Sequence, residues 1–480
     1  MRSRMANTRR HRGSMKTVRS AAIAVLFAAL AGLSAAKAEA ETLADAMVGA
    51  YKHSGLLDKN RALLRAADED VAVAVAALRP IVNWSAGLTY SYTRSGGFFT
   101  STSETLDSTV GLAGEILLYD GGASKMRVDV AKETVLATRQ TLVGVEQQVL
   151  LTAVNAYVDV KRATDSVRLR RSNLRVIGEE LRAARDRFEV GEVTRTDVSL
   201  AEARRASARA SLAAAQGDLA RAVEFYRSAV GRKPGALATP GAVGLPAQSL
   251  DNAKAIALRT HPDLKRVQRQ VQAAELGILV ADAAKGPQLK LNGSIGVNEE
   301  HGSVSSGSSA SLGLNLTQPI YQGGRLSALE RKARAQRDGA RADLHVARNQ
   351  IVQNVGYAWA QLRVSRATEA ASAQQVRAAR NAFEGIREEA TLGARTTLDV
   401  LDAEQELLDA RTSQLTARYD RIRVGYELLA SMGLLTAERL NLNVPRYDPA
   451  AYFNLVKTAP TNMSKQGRQL DRVLKSLGKE

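Results

Sequence analysis

An internal match at fixed spacing constrains this chain more than any other feature. Tyr119-Asp120-Gly121-Gly122 returns as Tyr321-Gln322-Gly323-Gly324, an offset of 202 residues. The same offset carries Gly191 to Gly393, Thr194 to Thr396, Asp197-Val198 to Asp399-Val400 and Ala201-Glu202 to Ala403-Glu404, and it aligns Tyr157 with Trp359. Upstream, Pro80 aligns with Pro287 at an offset of 207, so the first half carries five extra residues before its Gly-Gly pair. The period is far too long for a solenoid. It predicts two copies of one structural unit, at 41–231 and 251–444, with a Pro/Gly/Ala linker at 232–250 and a polar, basic, mobile tail at 445–480.

All ten prolines fall at these boundaries, in the linker or in the tail. Proline is excluded from helix interiors, so the stretches between prolines can be long helices. Residues 124–190 are rich in Ala, Leu, Arg, Glu and Gln, and as one helix they would be about 100 Å long. Val128, Val135, Leu142, Val149 and Ala156 recur every seven residues, as do Val160, Val167, Leu174, Leu181 and Phe188. The shift of four between the two sets is a stutter in a coiled coil. Residues 325–391 repeat the design. Shorter helices are predicted at 41–78, 195–231, 251–284 and 395–432, with Val190-Gly191 and Leu392-Gly393 as helix–turn–helix tips.

Four segments alternate with period two. Trp84, Ala86, Leu88, Tyr90 and Tyr92 face one way in Ile81–Tyr92, and Asn83, Ser85, Gly87, Thr89 and Ser91 the other. Segments 110–118, 289–298 and 311–318 behave alike, and 94–107 and 299–310 read as polar loops. A half-buried strand pair in a soluble α+β protein would show the same alternation, but no other strand is available to cover these apolar faces. Each segment is near the ~9–11 residues of a transmembrane strand. Four strands cannot close a barrel, which needs about eight, and an open edge in lipid is forbidden. Strands from several chains must therefore combine, and three chains give twelve.

Charge and cysteine usage narrow the function. Residues 1–40 hold eight Lys/Arg against one acid, then an apolar run, Ala21–Leu33, and Ala38-Glu39-Ala40. This is the order of a secretory signal peptide cut after Ala40 or Ala38, with Met15 an alternative start. Export and the interleaving of arginines with acids argue against nucleic acid as partner, despite a net charge of +18. With no cysteine, disulfides, thiolate metal sites and a lipidated cysteine are excluded. The five histidines are scattered, and no nucleotide-binding, G-x-S-x-G or H-E-x-x-H motif is present. No enzyme activity, cofactor or metal is expected. The acidic run Asp68-Glu69-Asp70 reads as a solvated helix face.

Tandem halves, paired strands and two long helices together resemble the TolC family of outer-membrane efflux and type I secretion channels. The carrying motifs are Tyr119-Asp120-Gly121-Gly122, Gln318-Pro319-Ile320-Tyr321-Gln322-Gly323-Gly324 at the strand-to-helix joins, and Gly393-Ala394-Arg395-Thr396-Thr397-Leu398-Asp399-Val400-Leu401-Asp402 at the second tip. The resemblance covers about 41–445. It implies a mixed α/β membrane protein of a Gram-negative cell: a homotrimer whose 12-stranded barrel sits in outer-membrane lipid and continues into a helical periplasmic tunnel. It also implies a periplasmic adaptor docking at Val190, Gly191, Leu392 and Gly393, and an inner-membrane ABC or RND-type transporter. A periplasmic gate would comprise Thr196, Asp197, Arg395, Asp399 and Asp402, with Arg395 pairing to Thr196 or Asp197. Ala390 stands where better-known members carry a tyrosine five residues before the tip arginine. The competing reading is a non-transporting trimeric coiled-coil envelope protein, an adhesin or spacer.

Overall fold

The computed structural model describes residues 40–301 and 306–476. The signal peptide expected at 1–40 lies outside the described residues, apart from Ala40. In chain order the elements are α1 (Leu43–His53), α2 (Gly55–Ala76), β1 (Ile81–Ser95), β2 (Ser101–Tyr119), α3 (Ala123–Glu189) and α4 (Arg195–Val230). There follow α5 (Leu250–Thr260), α6 (Pro262–Ala283), β3 (Gln288–His301), β4 (Ser306–Thr317), α7 (Arg325–Thr391), α8 (Thr397–Ser431), α9 (Pro449–Val456) and α10 (Lys465–Ser476).

The helices expected at 41–78 and 251–284 are each broken once. Ser54 is extended, and its hydroxyl accepts from the Leu57 N–H at 3.3 Å, capping α2. The second break comes 207 residues on, where Pro262 opens α6 and holds His261 in an extended conformation.

The strands form one antiparallel sheet in the order β1-β2-β3-β4. Trp84 stands opposite Leu112, Leu112 opposite Ile295, and Ile295 opposite Ala310. The next row is Ser85, Gly111, Gly296 and Ser309. One face is therefore apolar and the other small and polar, because successive side chains alternate. The apolar face is bare: Trp84 is 68% exposed and Leu312 78%. On the polar face Lys290 Nζ meets Glu115 at 2.8 Å. The hairpins run beyond the expected strands into 94–107 and 299–310. Arg94 pairs with Thr102 and Ser95 with Ser101, leaving only residues 96–100 as the turn. Serine and threonine there mark contact with water; they do not end the ladder of backbone hydrogen bonds.

Paired glycines turn the chain from sheet to helix. Gly122 and Gly324 precede α3 and α7 with φ of 85° and 82°, the left-handed region where other residues are strained. Asp120 secures the first turn by accepting from Gly122 N–H at 3.1 Å and Ser124 N–H at 2.7 Å. Both long helices have 67 residues. In α3 the heptad residues Val128, Val135, Val149, Ala156, Val160, Val167 and Leu181 are buried, whereas Phe188 near the tip is 45% exposed. Helix α3 packs on α2, α4, α6 and α8, and α7 on α6 and α8.

The largest core cluster gathers Leu150, Tyr157, Tyr226, Tyr419, Leu428 and Leu435 around the middle of the long helices. Tyr157 Oη donates between the carbonyls of Glu41 (2.8 Å) and Ala238 (2.6 Å), tying the segment before α1 and the linker to α3. Burial pushes this phenol up to about 12.

Two expectations are corrected here. Asp68 is not on a solvated face: it is fully buried, and neither carboxylate oxygen has a hydrogen-bond partner among the described residues. It lies one turn from Leu64 and Val71 on the side of α2 that meets α3. Nor is the described part of the tail loose around Tyr447 and Phe453. Tyr447 and Phe453 pack on the cluster of Leu64, Val71, Val128 and Val135. Tyr452 Oη donates to Glu69 at 2.6 Å, and Arg139 sits 5.3 Å from the Phe453 ring centre. Aromatics dispersed in a polar segment dock it where composition alone reads as mobile.

Candidate functional site

At the tips two helix pairs reverse by the same local chemistry. Gly191 and Gly393 have φ of 82° and 79°. Behind them Glu192 N–H reaches Arg187 C=O at 2.9 Å, and Ala394 N–H reaches Glu389 C=O at 3.0 Å. These six-to-one bonds satisfy helix-end carbonyls. The next helices begin with capping boxes. Asp197 N–H donates to Thr194 Oγ1 at 3.3 Å while Thr194 N–H returns to Asp197 Oδ2 at 2.9 Å. Asp399 and Thr396 repeat this at 3.2 and 3.0 Å. Hydrogen bonds from Thr194 hold the Asp197 carboxyl below its usual range, and those from Thr396 do the same for Asp399. Both aspartates are thus anionic and committed to their own helix starts.

Both turns line one cavity of about 680 Å³, shared by Arg187, Glu192, Asp197, Ala390, Arg395 and Asp399. Of the expected gate residues Asp197, Arg395 and Asp399 are therefore neighbours, but the pairing differs from the expected one. Within the chain Arg395 Nε donates to Glu389 Oε2 at 2.8 Å, because the glycine reversal folds the two onto one turn. Thr196 is exposed in the first turn of α4. Asp402 leaves the tip and meets Arg204 on α4 at 2.6 Å. Val190 is 72% exposed and Leu392 85%, so each turn ends in a bare apolar side chain. At the other end Gly121, Gly122, Gly323 and Gly324 all adopt positive φ at the strand–helix joins.

Sequence reasoning missed three cross-links. Arg387 meets Glu180 at 3.1 Å, Arg185 meets Glu202 at 2.5 Å, and Asn173 Nδ2 donates to buried Glu404 at 3.0 Å. Burial raises the Glu404 carboxyl, partly offset by that bond. The repeat itself flagged Glu202 and Glu404 as twins; nothing in the sequence named their partners. Among the described residues no cluster of three or more His, Cys, Asp or Glu could hold a metal ion.

A bare-faced sheet opening into long helical hairpins is the architecture of outer-membrane channel proteins. The family model described as "Outer membrane efflux protein" matches residues 46–232 and 255–434, and the chain belongs to that family. It is 37% identical to the outer membrane efflux protein BepC of Brucella suis biovar 1, over 87% of this chain and 91% of that one. It is 27% identical to the outer membrane protein TolC of Escherichia coli K12, over 91% of each. The fold is similar to that of the Campylobacter jejuni CmeC outer membrane channel, with TM-score 0.73, 16% identity, and 87% of this chain and 90% of that one covered. Membership places the protein in the outer membrane of a Gram-negative cell, with its long helices in the periplasm.

Proposed function

We propose that three copies assemble into a passive exit duct of a tripartite efflux pump or type I secretion system. Each copy contributes four strands to a 12-stranded barrel and its long helices to a periplasmic tunnel. The observation that carries this is the sheet: among the described residues β1 and β4 have no second neighbour, and the apolar face is bare. Lipid tolerates neither a free edge nor a half-barrel, so the β4 edge of one copy is taken to pair with β1 of the next. The polar face with Lys290 and Glu115 then lines the lumen. The repeat units 41–231 and 251–444, the linker and the tail keep their assigned bounds in this reading.

The tips at Val190-Gly191 and Leu392-Gly393 are the assigned contacts for a periplasmic adaptor, which couples the duct to an inner-membrane ABC or RND-type transporter. Thr196, Asp197, Arg395, Asp399 and Asp402 are assigned to the gate. The duct has no enzyme activity and no cofactor of its own. Native mass spectrometry and single-channel recording in planar bilayers test this together. A trimer with defined conductance is expected; a stable monomer with intact β signal, or a trimer without conductance, refutes the duct.

A further inference from the structure

The C-terminal helix α10 begins at the foot of the sheet. Arg79, just before β1, donates from Nη1 to the Ala459 carbonyl at 2.7 Å and from Nη2 to the Thr458 carbonyl. The Thr458 hydroxyl in turn donates to Gln466 Oε1 at 2.9 Å, in the first turn of α10. Gly467 is buried so tightly there that a Cβ would come within 2.1 Å of the Thr461 carbonyl oxygen. The run of contacts from Arg79 through Thr458 to Gln466 sets the start of α10 beside the beginning of β1, where the bare apolar face opens with exposed Val82 and Trp84.

The helix is two-sided. Leu470, Val473 and Leu474 lie along one side, with buried Gly467 and half-buried Leu470 and Leu474 turned to the chain. Lys465, Arg468, Arg472 and Lys475 share the opposite side, and all four are exposed. Asp471 is the one acid within Lys465–Ser476.

We infer that α10 is a membrane-surface helix whose cationic side binds the anionic phospholipid headgroups of the periplasmic leaflet. Two observations select lipid: the contacts from Arg79 hold the helix beside the start of β1, which the proposed barrel sets at the bilayer edge, and its outward side is cationic. Two of the three apolar residues, Leu470 and Leu474, are half-buried, and its length is 12 residues, so it adheres by charge and does not insert. Basic segments beside a bilayer bind anionic headgroups in this way, and salt screens the attraction. A helix this short does not hold its shape alone; the contacts at Thr458 and Gln466 start it.

The chain has no cysteine, so Gln469→Cys gives a single site for a fluorophore on the full-length protein. The labelled protein is placed in nanodiscs of phosphatidylcholine, or of phosphatidylcholine with phosphatidylglycerol, each carrying a headgroup quencher. Quenching is expected to be severalfold stronger with phosphatidylglycerol and to fall with added salt. It should drop to the phosphatidylcholine level in Lys465→Gln/Arg468→Gln/Arg472→Gln, whose changes are all at exposed positions. Equal quenching in both discs, or quenching unmoved by the triple variant, overturns the inference; that is also the result if the cations serve an acidic protein. Co-elution with discs is read separately. Its loss would refute the membrane placement on which the inference rests, and the inference with it.

Discussion

Asp402 on α8 holds Arg204 on α4 at 2.6 Å, an ion pair that joins the two helical hairpins of one chain close to their tips. Both side chains are partly exposed, so a single pair is worth about 0–1 kcal/mol. Three copies in a trimer would act together on the same opening. Arg204→Ser and Asp402→Ala are each expected to raise channel conductance or sensitivity to large antibiotics, and the double variant to add little to either. Full additivity in single-channel recordings would show that the pair does not restrain the tips.

Asp399 has two separable roles. As a capping partner of Thr396 it stabilises the start of α8 by roughly 1 kcal/mol; as a charge it would favour cations at a narrow mouth. Asp399→Asn keeps an acceptor for Thr396 N–H and removes the charge. It should shift the reversal potential toward anions under a salt gradient and leave amide exchange at the start of α8 nearly unchanged. Asp399→Ala should change both. An unmoved reversal potential in Asp399→Asn removes this carboxylate from ion selection.

Docking of the tail should weaken as pH rises. Burial raises the Asp68 carboxyl to about 6, with Arg139 opposing the shift. An acid whose folded value is raised stabilises the fold fully below its unfolded value near 4, and that contribution is lost as pH rises through 6. The span is up to roughly 3 kcal/mol. Proteolysis of the segment around Tyr452 should therefore quicken between pH 4 and 7, and Asp68→Asn should flatten the profile. A wild-type rate independent of pH would contradict this.

The bare face of the sheet predicts an asymmetry. Leu314→Arg places a cation on the apolar side and should cost about 2–4 kcal/mol near mid-bilayer, blocking assembly in outer-membrane fractions. Asn315→Arg, one residue on and opposite in direction, should assemble and alter conductance. Equal behaviour of the two variants would mean that the faces are wrongly assigned.

Tyr157 tests the tie between α3, Glu41 and the linker. Tyr157→Phe leaves the Ala238 carbonyl without its phenolic donor and should cost about 1 kcal/mol, seen as a lower thermal midpoint. No change would mean that water replaces the hydroxyl.

The sequence showed the long helices, the four strands and the tips because each is written in local chemistry. Proline placement, heptads, alternation and the glycines at the tips, Gly191 and Gly393, all act within a few residues of chain. It did not show that Arg395 would turn to Glu389. That pairing depends on the glycine reversal, and its twin position holds Arg187, so the repeat gave no hint. Asp68 was misread because an acid in a charged run looks solvated; the side of α2 that meets α3 is decided by packing over a distance. The tail was misread for the same reason, since Tyr452 and Phe453 find partners hundreds of residues away.

The pairing of β2 with β3 also sets an order of events. Leu106 meets His301 across the whole of α3, α4, α5 and α6, whereas each long helix meets its return helix through a short turn. Contacts near in sequence form early, and distant ones wait on loop closure. As the exported chain emerges, its first helical hairpin can close while β2 still has an unpaired edge and β3 has not yet appeared. This order gives the exported chain a half-folded stage in which the β1–β2 hairpin carries an open edge, a template for pairing with other newly arriving chains until β3 reaches it.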